Sequence, residues 1–144
     1  MTNKKFDSYS YLLDRTARRV KGYAQQKFAS GDFDVTVDQW LILKSLDNDK
    51  YLKQKELAEI TGKDNPTLTR IIDLLCKKGL TERVTHKDDR RSFTVHLTAA
   101  GTTKLTELSP KVNEIRMKAW ENLSEQDYEQ LKTILNKIYQ NLES

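Results

Sequence analysis

One cysteine, two histidines, two prolines and five glycines in 144 residues leave little room for several common kinds of protein. A lone Cys76 excludes an intramolecular disulfide, and with His86 and His96 as the only imidazoles no Cys/His set has the spacing of a zinc site. No structural metal and no cofactor are expected. The longest wholly apolar run, Trp40 to Leu43, is far too short to span a bilayer. The opening MTNKKFDSYS has no apolar stretch of signal-peptide type, so the expected location is the cytoplasm, without a membrane partner. No low-complexity tract and no solenoid-length repeat interrupts the chain, and the scarcity of glycine and proline points to a mainly helical fold. The net charge of +4 favours polyanionic partners only mildly, so the placement of the basic residues matters more than their number.

Apolar residues do recur at helical steps. Tyr9, Leu12, Leu13, Thr16, Val20, Tyr23 and Ala24 share a stripe, predicting a first helix that ends near Ser30 and Gly31. Thr36 and Gln39 have capping-box spacing ahead of a short helix carrying Trp40, Leu43 and Leu46, and Asn48-Asp49-Lys50 reads as a turn. The segment from Lys53 predicts a helix with Leu57 and Ile60 facing inward, ended by Gly62. Asp64 or Asn65 can cap the next helix, with Pro66 in its first turn. There Leu68, Ile71, Ile72 and Leu75 form the inner stripe, and Asn65, Thr67, Thr69, Arg70 and Asp73 lie on the other side. Two short helices with a tight turn between them are a helix-turn-helix candidate.

Beyond Gly79, LTERVT and then Phe93, Val95 and Leu97 alternating with Ser92, Thr94 and His96 predict a β-hairpin. Its tip is the charged run from His86 to Arg91. Thr98 can cap a long helix carrying Leu105, Leu108, Val112, Ile115 and Ala119 on one face, with Pro110 a bend or an early break. Ser124 and Asp127 mark a fresh start, after which Tyr128, Leu131, Leu135, Ile138 and Leu142 repeat at three and four. This last stripe either packs back on its own domain or covers another subunit; the amphipathic first and fifth helices favour the second.

Helix, helix-turn-helix, then hairpin is the order of a winged helix, a mainly α fold with a small β-hairpin. A major groove about 12 Å wide accepts one helix and leaves the flanking minor groove within reach of the hairpin tip. Guanidinium groups suit that narrow, negative groove, which points to Arg90 and Arg91, with Lys87 on a phosphate. Lys53, Lys55, Lys63 and Lys77 are further phosphate candidates, although surface lysines are common. Asp88 and Asp89 would repel phosphate unless they cap the turn or pair with Arg70 or Arg91 and so fix a long side chain.

The segment ELAEITGKDNPTLTRIIDLLCKKGLTERVTHKDDRRSFTVHLTAAG resembles the MarR family of bacterial transcriptional regulators, and with LSEQDYEQLKTIL the resemblance covers nearly the whole chain. It implies a homodimer whose first and last two helices interlock (residues 1–34 and 99–144), with a winged-helix DNA-binding domain over residues 35–98. Two such domains would bind double-stranded, pseudo-palindromic DNA as a repressor, released by a small-molecule (aromatic or phenolic) effector or a redox input. Asp89 and Arg91 match the family's wing pair, with Arg91 entering the minor groove. Asp64, Asn65, Pro66, Thr67, Thr69 and Arg70 match the exposed front of the recognition helix, where a proline is less usual.

Several residues have a plainer reading beside the functional one. Cys76, next to Lys77 and Lys78, has the basic neighbours that favour a reactive thiolate, yet family redox sensors place the thiol near the first helix, and packing explains Cys76 equally. Tyr11, Arg15 and Trp40 could line an effector site between the dimerisation helices and the DNA-binding domain, although aromatics at helical spacing also build cores. A winged helix used only as a protein-interaction module is the rival function. An enzyme is disfavoured, because the paired aspartates lack a supporting histidine, a phosphate-binding glycine loop or a pocket.

Overall fold

The computed structural model describes residues 4–86 and 88–143, with the side chains of residues 89–91 outside the description. A short 3-10 turn at Lys4–Phe6 precedes α1 (Tyr9–Ser30) and α2 (Val37–Ser45). A two-residue strand β1 (Leu52–Lys53) leads directly into α3 (Gln54–Thr61), followed by α4 (Asn65–Lys77). The hairpin is β2 (Thr81–His86) and β3 (Asp89–Leu97), and α5 (Ala99–Lys118) and α6 (Glu125–Asn141) complete the chain.

Local chemistry sets most of these boundaries. Thr36 Oγ1 accepts from Gln39 N while Gln39 Oε1 accepts from Thr36 N, a reciprocal cap that starts α2. Gly62 ends α3 in the left-handed region at φ 69°, where a Cβ would be strained. Asp64, not Asn65, caps α4: its Oδ1 accepts from Thr67 N at 2.9 Å. Thr98 and Ser124 cap α5 and α6 in the same way, and Asp127 returns the bond to Ser124 N.

The core lies where α2, α3, α4, β3 and α5 meet. Ile42, Leu43, Leu46, Leu57, Leu68, Ile72, Leu75 and Val95 are fully buried, each stabilising the fold by about 1.5–3 kcal/mol relative to exposure. The inner stripe of α4 is thus the one the sequence indicates. Leu57 faces inward as expected, but Ile60 does not: it is 57% exposed, and Ala58 packs against the core in its place.

The sheet has three strands in the order β1-β3-β2, all antiparallel. The hairpin was legible in the sequence, but β1 was not: Leu52 and Lys53 pair with Val95 and Thr94 and tie the start of α3 to the hairpin. The β2–β3 register is regular from Thr81↔Leu97 to Thr85↔Phe93 and shifts before His86↔Asp89. Such an irregularity bends the ribbon toward its tip.

Pro110 neither breaks α5 nor ends it early; the helix runs continuously to Lys118. Thr106 and Pro110 are both exposed, so water can serve the carbonyl that the missing amide hydrogen leaves unpaired. Helix α6 buries none of its residues in the single chain. Its start meets the connection that follows α5 through an edge-to-face pair of Trp120 and Tyr128, with ring centres 5.3 Å apart. Among the described residues no helix is long and apolar enough to cross a membrane.

Candidate nucleic-acid interface

Burial of Leu68, Ile71, Ile72 and Leu75 turns the opposite face of α4 outward. Asn65, Pro66, Thr69 and Arg70 are exposed there and Thr67 is half-buried. Asp64 is exposed but committed: its bonds to Thr67, with lesser help from the charges of Arg70 and Lys63, hold its carboxyl below the ordinary aspartate value. An ionised cap at this end also suits the positive end of the helix dipole. Asp64 therefore shapes the start of the helix that carries this exposed face.

Thr69 is held by a residue that the sequence did not single out. Gln54, the first residue of α3, donates from Nε2 to Thr69 Oγ1 at 2.8 Å. This cross-link fixes the hydroxyl on the exposed face and joins the two helices of the helix-turn-helix. Only side-chain periodicity was available to sequence reasoning, and a polar residue at a helix start gives no signal for a contact fifteen positions away. A shallow cleft beside it, lined by Gln54, Lys55, Ala58, Glu59, Asn65 and Phe93, runs between α3, the start of α4 and the wing.

The wing is braced against the recognition helix by Arg83. Its guanidinium donates to the Asp73 carboxylate on α4 and lies 5.2 Å from the centre of the Phe93 ring. Cys76 sits in this junction, with Sγ 3.3 Å from Thr81 Oγ1 and 3.8 Å from Arg83 Nη1. Lys78, expected beside the thiol, instead donates to Asp34 O at 2.6 Å and to Gln39 Oε1 at 3.1 Å. The Tyr51 ring stacks on His96, whose Nε2 lies 2.9 Å from Glu82 Oε1, forming a cluster on the strand face.

The backbone of Asp89, Arg90 and Arg91 lies in β3 at the distal end of the hairpin. The side chains of these three, and Lys87 as a whole, lie outside the described residues, and with them the sequence-based roles at the tip. Of the candidate phosphate lysines, Lys53, Lys55 and Lys77 are exposed. Lys63 is not available in the same way, because its Nζ is paired with Asp38 at 3.0 Å. Among the residues weighed for an effector site, Trp40 is buried in the core. Tyr11 and Arg15 are exposed on α1, the guanidinium 5.4 Å from the ring centre. Among the described residues no group of three His, Cys, Asp or Glu side chains is placed to hold a metal ion.

A helix-turn-helix with a braced hairpin beside its second helix defines a winged-helix protein. Residues 35–93, from just ahead of the cap of α2 into β3, match the model of the MarR family. The chain is similar to MepR of S. aureus in complex with DNA, at 28% identity over 93% of this chain and 98% of that one, with a TM-score of 0.78. A Listeria innocua protein of unknown function is 33% identical over 97% and 96% of the two chains, with a TM-score of 0.70. BpsR of Bordetella bronchiseptica, whose DNA binding is regulated by 6-hydroxynicotinic acid, shares the fold at 22% identity, covering 93% and 94%, with a TM-score of 0.81. The protein is accordingly a transcriptional regulator with a MarR-type winged helix.

Proposed function

We propose that the protein is a homodimeric repressor that reads a pseudo-palindromic operator, with α4 in the major groove and Arg91 of the wing in the adjacent minor groove. The observation that carries this reading is the exposed face of α4. Asn65, Thr69 and Arg70 stand out from a helix whose other side is wholly committed to the core. Arginine and asparagine are the side chains best matched to guanine and adenine edges, respectively. The exposed Lys53, Lys55 and Lys77 supply charge for phosphates, which position a protein without specifying sequence. The DNA-bound state of the similar MepR supports the same use of the fold.

The dimer reading rests on the terminal helices. Leu12, Leu13 and Val20 of α1 and Leu131, Ile134 and Leu135 of α6 are each between 38% and 56% exposed in the single chain. Apolar side chains left open at helical spacing on each of these helices mark an association surface. Residues 1–34 and 99–144 accordingly form the dimerisation region, and residues 35–98 the DNA-binding domain. A two-fold axis would set the recognition helices one helical turn apart, about 34–36 Å, to match successive major grooves. An aromatic effector that binds better to a dimer of different spacing would release the DNA, and one indifferent to spacing would not. The effect of 6-hydroxynicotinic acid on BpsR supports this class of input.

Selection from a random duplex pool tests the proposal. Enrichment of an inverted repeat whose half-sites are about ten base pairs apart, bound by two protomers, is expected. Recovery of no common sequence would overturn it, leaving the protein-interaction module as the better reading.

A further inference from the structure

Asp38, in the first turn of α2, stands between lysines from two other parts of the chain. Its Oδ1 lies 3.0 Å from Lys63 Nζ and 3.2 Å from Lys21 Nζ. Lys63 immediately precedes Asp64, the cap of α4, whereas Lys21 lies in the middle of α1. A single carboxylate oxygen thus links the first helix to the entrance of the recognition helix. The Lys63 side chain is only 21% exposed and that of Asp38 32%, so the link is less screened than an open surface pair. Desolvation opposes the charged carboxylate, but the two lysines outweigh it and hold the Asp38 pKa below its ordinary value.

The far end of the same helix is held from the same turn. Lys78, the C-cap of α4, donates to Gln39 Oε1 and to the Asp34 carbonyl just ahead of α2. Gln39 is itself fixed, because Oε1 also accepts from Thr36 N in the capping box. Lys63 and Lys78 therefore spend their charge inside the molecule, and each fastens one end of α4 to α2.

We propose that the first turn of α2 is a two-ended clamp on the recognition helix, with Asp38 a positioning residue that couples α1 to the start of α4. The inference rests on the reading of α4 as the DNA-reading helix. Asp38 touches no DNA in this scheme; it acts through Lys63. Neutralising it leaves Lys21 and Lys63 as close like charges, so the entrance to α4 moves away from α1 while the buried stripe stays in place.

Amide hydrogen exchange of the full-length free protein, compared between wild type and Asp38→Asn, tests the clamp without DNA. Exchange at Thr67 and Leu68 is expected to rise about five-fold, the size of one partly screened ion pair, and to exceed the change at Val95 in β3, which exchanges only when the whole fold opens. Asp38→Glu should restore protection. Equal acceleration at Val95 would show a general loss of stability and overturn the clamp, as would unchanged exchange at Thr67 and Leu68. Binding to a selected operator and to random DNA separates the two claims. A selective wild type with about five-fold weaker operator binding by Asp38→Asn, and no loss on random DNA, supports the positioning role. An equally selective variant refutes it, and a wild type without selectivity counts against the DNA reading while the exchange data still judge the clamp.

Discussion

Replacing Gly101 with alanine should destabilise the protein, although the same change in most helices stabilises it. Gly101 is buried in the first turn of α5, where an added Cβ would stand 2.1 Å from the Leu80 carbonyl oxygen and 3.2 Å from Leu97 Cδ2. The obstacle is backbone already in use: Leu80 O accepts from Thr98 N at 3.1 Å, and Thr98 Oγ1 donates to Gly79 O at 2.6 Å. Relief requires α5 to retreat by about an ångström, which strains both bonds. Overpacking of this kind costs about 1–3 kcal/mol, and each weakened hydrogen bond about 0.5–1.5 kcal/mol. Against this stands a gain of about 1 kcal/mol from alanine's helix propensity. The net expectation is a loss of about 2–3 kcal/mol, or roughly 5–10 °C in Tm for a chain of this size. Thermal unfolding at fixed protein concentration reads it, with Gly22→Ala as the control. No atom lies within 4 Å of a Cβ at Gly22 in α1, so that variant should gain about 0.5–1 kcal/mol. If Gly101→Ala were as stable as wild type, the close seat of α5 against the α4–β2 turn would be wrong.

Leu131→Arg should convert dimers to monomers in sedimentation while leaving the helical circular dichroism in place; a persistent dimer would remove α6 from the interface. Arg91→Ala should flatten the log-log salt dependence of operator binding by about 0.9, the share of a single phosphate, and an unchanged slope and affinity would take the wing arginine off the DNA. Arg70→Ala is expected to cost about 1–3 kcal/mol on the operator, and an equal loss on random duplex would mean that Arg70 binds phosphate instead. The folded-state pKa of Asp38 is depressed, so its charge contributes stability that is present above the ordinary aspartate value near 4 and is lost as pH falls through the lower folded value. Urea unfolding should therefore find Asp38→Asn less stable than wild type at pH 7, with the gap closing below about pH 4; a gap constant to pH 3 would contradict the ion pairing.

The helices and the wing were legible because each leaves a local mark. Thr36, Asp64, Thr98 and Ser124 are caps recognisable within four residues, and the Leu68, Ile71, Ile72, Leu75 stripe fixes which face of α4 looks out. What was not legible depends on partners distant in the chain. Strand β1 has only two residues and gains its identity from Val95 and Thr94, more than forty positions on. Lys63 looks like any surface lysine until Asp38 is found beside it, and Thr69 gives no hint of Gln54. Ile60 lies off the expected inner face because three-residue spacing from Leu57 reaches only the edge of the buried side on so short a helix. Pro110, expected to bend α5 or to break it early, does not break it, since a proline at an exposed position of a long helix costs a bond that solvent can replace.

Specific DNA binding by a dimer is put to the proof by fluorescence anisotropy. Purified protein would be titrated against its own upstream DNA and a length-matched scrambled duplex, at two salt concentrations. At least about a hundred-fold preference for the upstream DNA is expected, at two protomers per duplex, with both affinities falling as salt rises. Equal, weak binding to both duplexes at either salt would contradict a sequence-specific regulator.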